Sequence, residues 1–154
     1  MKSVHYAASV VKAYRMAIDS YFENPEAFAV KEEWLEELEK VSHRSYTTGF
    51  YYGKPTEKDQ IYTSSSYIQT SDFVGLVLDY DEATGFATVE QRNNMKLGQE
   101  IEVFQPQLPG YRQLLGEMYN DEGEAIEVAP HPQQIVKIRM EAPVEPYAIL
   151  RRDI

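Results

Sequence analysis

The residues best suited to chemistry lie in Ser42-His43-Arg44-Ser45-Tyr46-Thr47-Thr48-Gly49-Phe50-Tyr51-Tyr52. An arginine among hydroxyls suits a phosphate or a carboxylate, and Tyr51 and Tyr52 are rings on which a base can stack. The competing reading is an ordered connection whose side chains satisfy backbone groups between a helix and a sheet. Arg92-Asn93-Asn94 is a second candidate, with a turn holding asparagine in left-handed geometry as the plainer alternative. His131, between Pro130 and Pro132, is a third, and its simplest role is a conformational lock. The candidate binding residues are therefore His43, Arg44, Tyr46, Thr47, Thr48, Tyr51, Arg92, Asn93 and His131, with Lys137 and Arg139 as further cations.

Catalytic constellations are weaker. Ser64-Ser65-Ser66 with His43 as base and Asp72 or Asp79 as orienter would make a serine hydrolase, but no GxSxG elbow is present. His5, His43 and His131 fall in separate thirds of the chain, and no HExxH occurs, so no metal site is expected. Glu32, Glu33, Glu36, Glu37 and Glu39 read as the wet face of a helix. No phosphate-cradling glycine loop is present. With no cysteine there is no thiol nucleophile and no thiolate-held zinc or iron–sulfur cluster in this chain. No catalytic residue is assigned.

The 154 residues suit one domain, or a small domain with an appendage. A formal net charge of -10 argues against broad nucleic-acid binding but leaves room for a local basic patch. Lys12, Arg15 and Asp19 interrupt any signal-peptide core, and no apolar run has the length to cross a membrane, so the cytoplasm is the expected location.

The elements that must position these residues begin with an amphipathic helix over Ser3–Phe22, with Ser3 as N-cap and a broad stripe of Val4, Ala7, Ala8, Val11, Tyr14, Ile18 and Tyr21. That stripe calls for a large partner, either the sheet or something outside the chain. Asn24-Pro25 ends the helix. A second helix is expected over Val30–Val41, with Trp34, Leu35, Leu38 and Val41 on its apolar face. Short strands are expected at Phe50–Tyr52 and within Ile61–Thr70. Three consecutive strands then form the centre of the β region: Val74–Tyr80, Phe86–Gln91 and Glu100–Phe104, the first two joined by an Asp81–Gly85 turn. Tyr111–Tyr119, Ala125–Val128, Ile135–Met140 and Tyr147–Arg151 follow, the last as an edge strand. The fold class is α+β: two helices (1–41), a linker with first strands (42–72), and a small antiparallel β-barrel (73–154).

KSVHYAASVVKAYRMAID, EKVSHRSYTTGFYYGKP, DFVGLVLDYDEATGFATVEQRN, GQEIEV, VAPHPQQIV and PYAILRR, in that order, resemble the C-terminal portion of the U32 peptidases, also called collagenase-like proteases. The resemblance implies that residues 1–41 correspond to the end of the family's catalytic domain. It implies that the β region is a C-terminal barrel similar to the second domain of translation elongation factors. It further implies a parent that is a peptidase or, as in some relatives, takes part in hydroxylation of RNA bases including the tRNA wobble uridine. An iron–sulfur cluster held by cysteines would then belong to a catalytic domain outside this chain, and no cofactor to the chain itself.

Three functions are therefore weighed. The first is a non-catalytic accessory barrel that positions a substrate, RNA such as tRNA or a protein, for its own catalytic domain. The second is a structural module for docking or dimerisation. The third is a hydrolase fragment using Ser64–Ser66 and His43.

Overall fold

The computed structural model describes residues 2–57 and 67–154, which form two units, Met1–Thr70 and Ser71–Ile154. The serines at 64–66 and most of the Ile61–Thr70 segment lie outside the described residues.

In the first unit, helix α1 (Val4–Glu23) starts where its cap dictates: the Ser3 hydroxyl accepts from the Tyr6 N–H at 3.2 Å. Asn24 ends it and opens a single 3-10 turn at Pro25–Ala27, its side chain accepting from the Ala27 N–H. Helix α2 is shorter than its apolar pattern suggests, Glu32–Glu39, because Lys31 makes no side-chain cap and the chain ahead of it is extended. The helices pack through His5, Ser9 and Ala13 of α1 and Trp34 of α2, and the Ser9 hydroxyl donates to Glu37 at 2.8 Å. The buried face of α1 is thus its polar and small-residue face. The apolar stripe is left in solvent, with Val11 67% and Tyr14 63% exposed.

The second unit is a curled antiparallel sheet of seven strands, a half-barrel, in the order β5-β4-β9-β1-β2-β8-β6. The strands are β1 (Ser71–Asp81), β2 (Phe86–Gln91), β4 (Glu100–Phe104), β5 (Tyr111–Leu114), β6 (Met118–Tyr119), β8 (Ile135–Arg139) and β9 (Ile149–Asp153). The short β3 (Met95–Lys96) and β7 (Val128–Ala129) pair with each other beside it. The α+β class and the antiparallel, barrel-like sheet agree with the sequence pattern.

The curl originates in β1. This strand is bulged twice, between Phe73 and Gly75 against β9 and between Val77 and Asp79 against β2. Each bulge adds a residue to one side of the ladder and bends it. Gly75 sits at the inner bend, where a Cβ would lie 2.7 Å from Val89 Cγ1, so only glycine lets the strands close over the core. Inside are Val77, Val89, Met95, Ile101, Ile138 and Leu150, all fully buried. The β1–β2 hairpin turns at Gly85 (φ +72), and its N–H donates to the Asp81 carbonyl at 2.7 Å.

Several boundaries differ from the sequence reading. Tyr111–Tyr119 is two strands, β5 and β6, at opposite edges of the sheet. The Arg92–Gly98 connection contains β3. Phe50–Tyr52 is a turn rather than a strand. The largest correction concerns the final strand: β9 is not an edge but lies between β4 and β1. Both edges of β9 are paired, and Ile149, Leu150 and Arg151 are buried in succession.

Candidate functional site

In the helical unit, the segment after α2 divides into an anchored base and an exposed tip. His43 is buried, and its backbone exchanges both hydrogen bonds with Ile68, at 3.0 and 2.8 Å. Its Nδ1 donates to the Val41 carbonyl at 2.8 Å, and its ring stacks parallel on Tyr46 with centroids 4.6 Å apart. The Tyr46 hydroxyl donates to the Leu38 carbonyl at 2.8 Å, and burial pushes its pKa up. Arg44 lies over the Tyr67 ring at 5.0 Å, and Lys2 Nζ approaches the same ring at 5.1 Å while donating to the Ser42 carbonyl. His43 and Tyr46 therefore hold the connection in place.

Beyond Tyr46 the chain forms a turn. The Thr47 hydroxyl accepts from Gly49 N–H at 3.2 Å, the Thr48 carbonyl from Tyr51 N–H at 3.0 Å, and the Phe50 carbonyl from Gly53 N–H at 3.3 Å. Gly49 and Gly53 take φ of +51° and +145°, which side-chain-bearing residues rarely adopt. At the tip, Phe50, Tyr51 and Tyr52 are 79%, 84% and 83% exposed.

In the half-barrel, the Arg92 guanidinium pairs with Glu90 at 2.6 Å and lies over the Phe73 ring. The N–H groups of Arg92 and Asn93 both donate to the Val74 carbonyl. Asn93 does not adopt left-handed geometry. Its side chain accepts from Asn94 N–H at 2.8 Å, and among the described non-glycine residues only Gln133 and Tyr147 have positive φ. The turn containing His131 is tied to the same end of the sheet: Gln133 N–H donates to the Gln91 carbonyl and Gln91 N–H to the Gln134 carbonyl. The structure thus brings the Arg92–Asn93 connection and the His131 turn together. Lys137 and Arg139 share the exposed face of β8, where Arg139 lies over Phe86 and donates to the Thr84 carbonyl.

Most other polar groups of the half-barrel hold backbone in place. Gln91, Gln105 and Gln113 are buried, and each side-chain amide donates to a backbone carbonyl: Ala129, Pro109 and Arg139. Arg151, 1% exposed, makes a two-pronged bond to Glu102 at 3.0 and 2.7 Å and covers Phe104. Arg112 extends that row to Glu100 and Asp153, whose carboxylate raises its pKa. Burial pushes Tyr111, whose hydroxyl donates to Ala142, up to about 12. Sequence reasoning missed the glutamines. Their one signal is Gln91 completing the inward series Ala87, Val89, Gln91.

A catalytic triad gets no support from His43, since the Nδ1–H that a carboxylate would hold is held by a carbonyl. Asp72 is itself paired with Arg152 at 3.2 Å. Among the described residues no group of three His, Asp or Glu could hold a metal ion. An iron–sulfur cluster needs thiolates, and the chain has none, so these residues do not fit one.

Comparison with known proteins now gives these two units a context. The family described as "Peptidase family U32 C-terminal domain" matches residues 69–151, and "Peptidase family U32" matches residues 1–61. The chain belongs to peptidase family U32. It is 40% identical over 152 residues to tRNA hydroxylation protein P1 of Bacillus subtilis, covering 99% of this chain and 36% of that protein. It is 32% identical over 162 residues to tRNA hydroxylation protein P of Escherichia coli, covering 99% of this chain and 33% of that protein. The chain therefore spans about a third of the length of these relatives. The crystal structure of the C-terminal domain of a U32 family protein from Geobacillus thermoleovorans matches with a TM-score of 0.51 and 41% identity, covering 53% of this chain and 99% of that domain. No helix of the described residues is long and apolar enough to cross a membrane.

Proposed function

We propose that this chain is the non-catalytic C-terminal part of a tRNA-modifying U32 protein, and that it positions RNA for a catalytic domain lying outside it. The observation that carries this reading is the match to a tRNA hydroxylation protein across 99% of the chain. The geometry supports it: His43 and the buried half-barrel polar groups maintain the fold, whereas a basic, aromatic connection faces solvent. An iron–sulfur cluster, where the whole protein uses one, would be held outside this chain, and such RNA would be met in the cytoplasm.

The test replaces the equivalent region of the B. subtilis relative with this chain and, separately, deletes it. Expected are weakened tRNA binding and reduced hydroxylated tRNA on deletion, both restored by the replacement. Unchanged tRNA affinity on deletion would overturn the proposal.

One observation favours a second reading, a docking module for the protein's own catalytic domain. Val4, Val11, Tyr14, Ile18 and Tyr21 leave an apolar stripe on α1 exposed, in a family whose members extend well beyond this chain.

A further inference from the structure

The exposed turn at Phe50–Tyr52 lies in a stretch of unusual charge. From Lys40 through Thr56 the sequence contains no acidic residue, although the whole chain carries a net charge of -10. The same window supplies Lys40, His43, Arg44 and Lys54. Lys40 pairs with Glu37 and His43 is buried, which leaves Arg44 and Lys54 as the exposed cations beside a tip whose Phe50, Tyr51 and Tyr52 stand in solvent.

We infer that the Thr47–Lys54 turn is a stacking site for unpaired RNA bases, with Tyr51 and Tyr52 taking the bases and Arg44 and Lys54 the flanking phosphates. This rests on the RNA reading above and assigns it to particular side chains. Duplex bases are already stacked on each other and offer no face to a protein ring, so a protruding aromatic turn selects single-stranded segments. The Tyr51 and Tyr52 rings meet edge to face, with centroids 5.0 Å apart and planes at 79°, and therefore present faces in different directions to successive splayed bases. The glycine conformations and the three turn hydrogen bonds hold the tip before any ligand arrives, which lowers the ordering cost of binding. An acid-free window with two flanking cations complements a polyanion, and exposed rings beside those cations suit an RNA strand, which carries both phosphates and bases.

The experiment titrates the full chain into a labelled mixed-sequence single-stranded oligoribonucleotide, and into the same strand annealed to its complement, following anisotropy across a salt series. Replacing Tyr51 and Tyr52 together by alanine is expected to weaken single-strand binding by at least about tenfold, with circular dichroism unchanged. The Tyr51→Phe, Tyr52→Phe double variant keeps the rings and should stay within about twofold of wild type. Lys54→Gln should weaken binding a few-fold and reduce the salt slope by about 0.7. Duplex binding should not respond to the tyrosines.

Single-strand affinity in the alanine variant within twofold of wild type, or equal loss in the phenylalanine variant, would overturn the inference. So would tyrosine-dependent binding of an unfolded protein, such as gelatin, by a wild-type chain that ignores RNA. The replacement experiment above separates the two claims. A chain carrying the alanines that still restores tRNA affinity sinks this site and leaves the accessory reading standing.

Discussion

The two units treat their polar and apolar residues in opposite ways. In the half-barrel, an arginine and three glutamines are buried and bonded, and the apolar side chains form the core. In the helical unit, a histidine and a serine line the buried face of α1, while valines, tyrosines and an isoleucine along the same helix face solvent. The half-barrel buries its main apolar cluster within its own sheet. The helical unit carries apolar surface that its own packing does not use, and such surface marks a place where something else binds.

Three substitutions would break or sharpen that contrast. The largest effect is expected for Glu102→Ala, which leaves Arg151 buried without its carboxylate. Loss of one partner from a buried pair costs about 3–5 kcal/mol. Urea denaturation should show it, and a loss below about 1 kcal/mol would mean that the Arg151–Glu102 row is dispensable. Next is Gly75→Ala. Its Cβ would press on Val89 and on Met95, 3.0 Å away, so about 1–3 kcal/mol should be lost from the same transition as the strands shift outward. The smallest effect is expected for Tyr14→Lys on α1. An exposed site away from caps and cores changes stability by no more than about 0.5 kcal/mol, so an appreciable fall in melting temperature would show that the stripe already packs in the isolated chain.

The half-barrel was more legible than the site. Phe86–Gln91 and Glu100–Phe104 appear as strands with the bounds that alternation suggests, because one face of each meets the core. The Asp81–Gly85 turn was equally plain: Asp81 accepts from Ala83 and Thr84, and these bonds, the Thr84 hydroxyl first, hold its pKa below the usual carboxylate range. Strand order was not readable, since periodicity reports which face is buried and not which neighbour covers it. Hence β9 looked like an edge, and two-residue β3 was hidden in a loop.

On α1 the pattern located the apolar stripe correctly, but burial depends on what is there to cover it. For the candidate residues, type alone could not separate anchor from tip. His43 and Tyr51 belong to one polar, aromatic run, yet one is bonded into the fold and the other stands in solvent. That division follows from the backbone pairing of His43 with Ile68, a partner 25 positions away in the numbering and outside any local pattern.

The placement of β9 also bears on the order of assembly. The strand reached last in chain order is the one that joins β5-β4 to β1-β2-β8-β6. Without Ile149–Asp153 those two portions have no strand between them, and each is left with an open edge. Its pairing with Ser71–Leu76 closes a long loop, and non-local pairings of that kind are the ones that slow folding. A polypeptide truncated just before Ile149 would lose the middle of its sheet rather than a fringe.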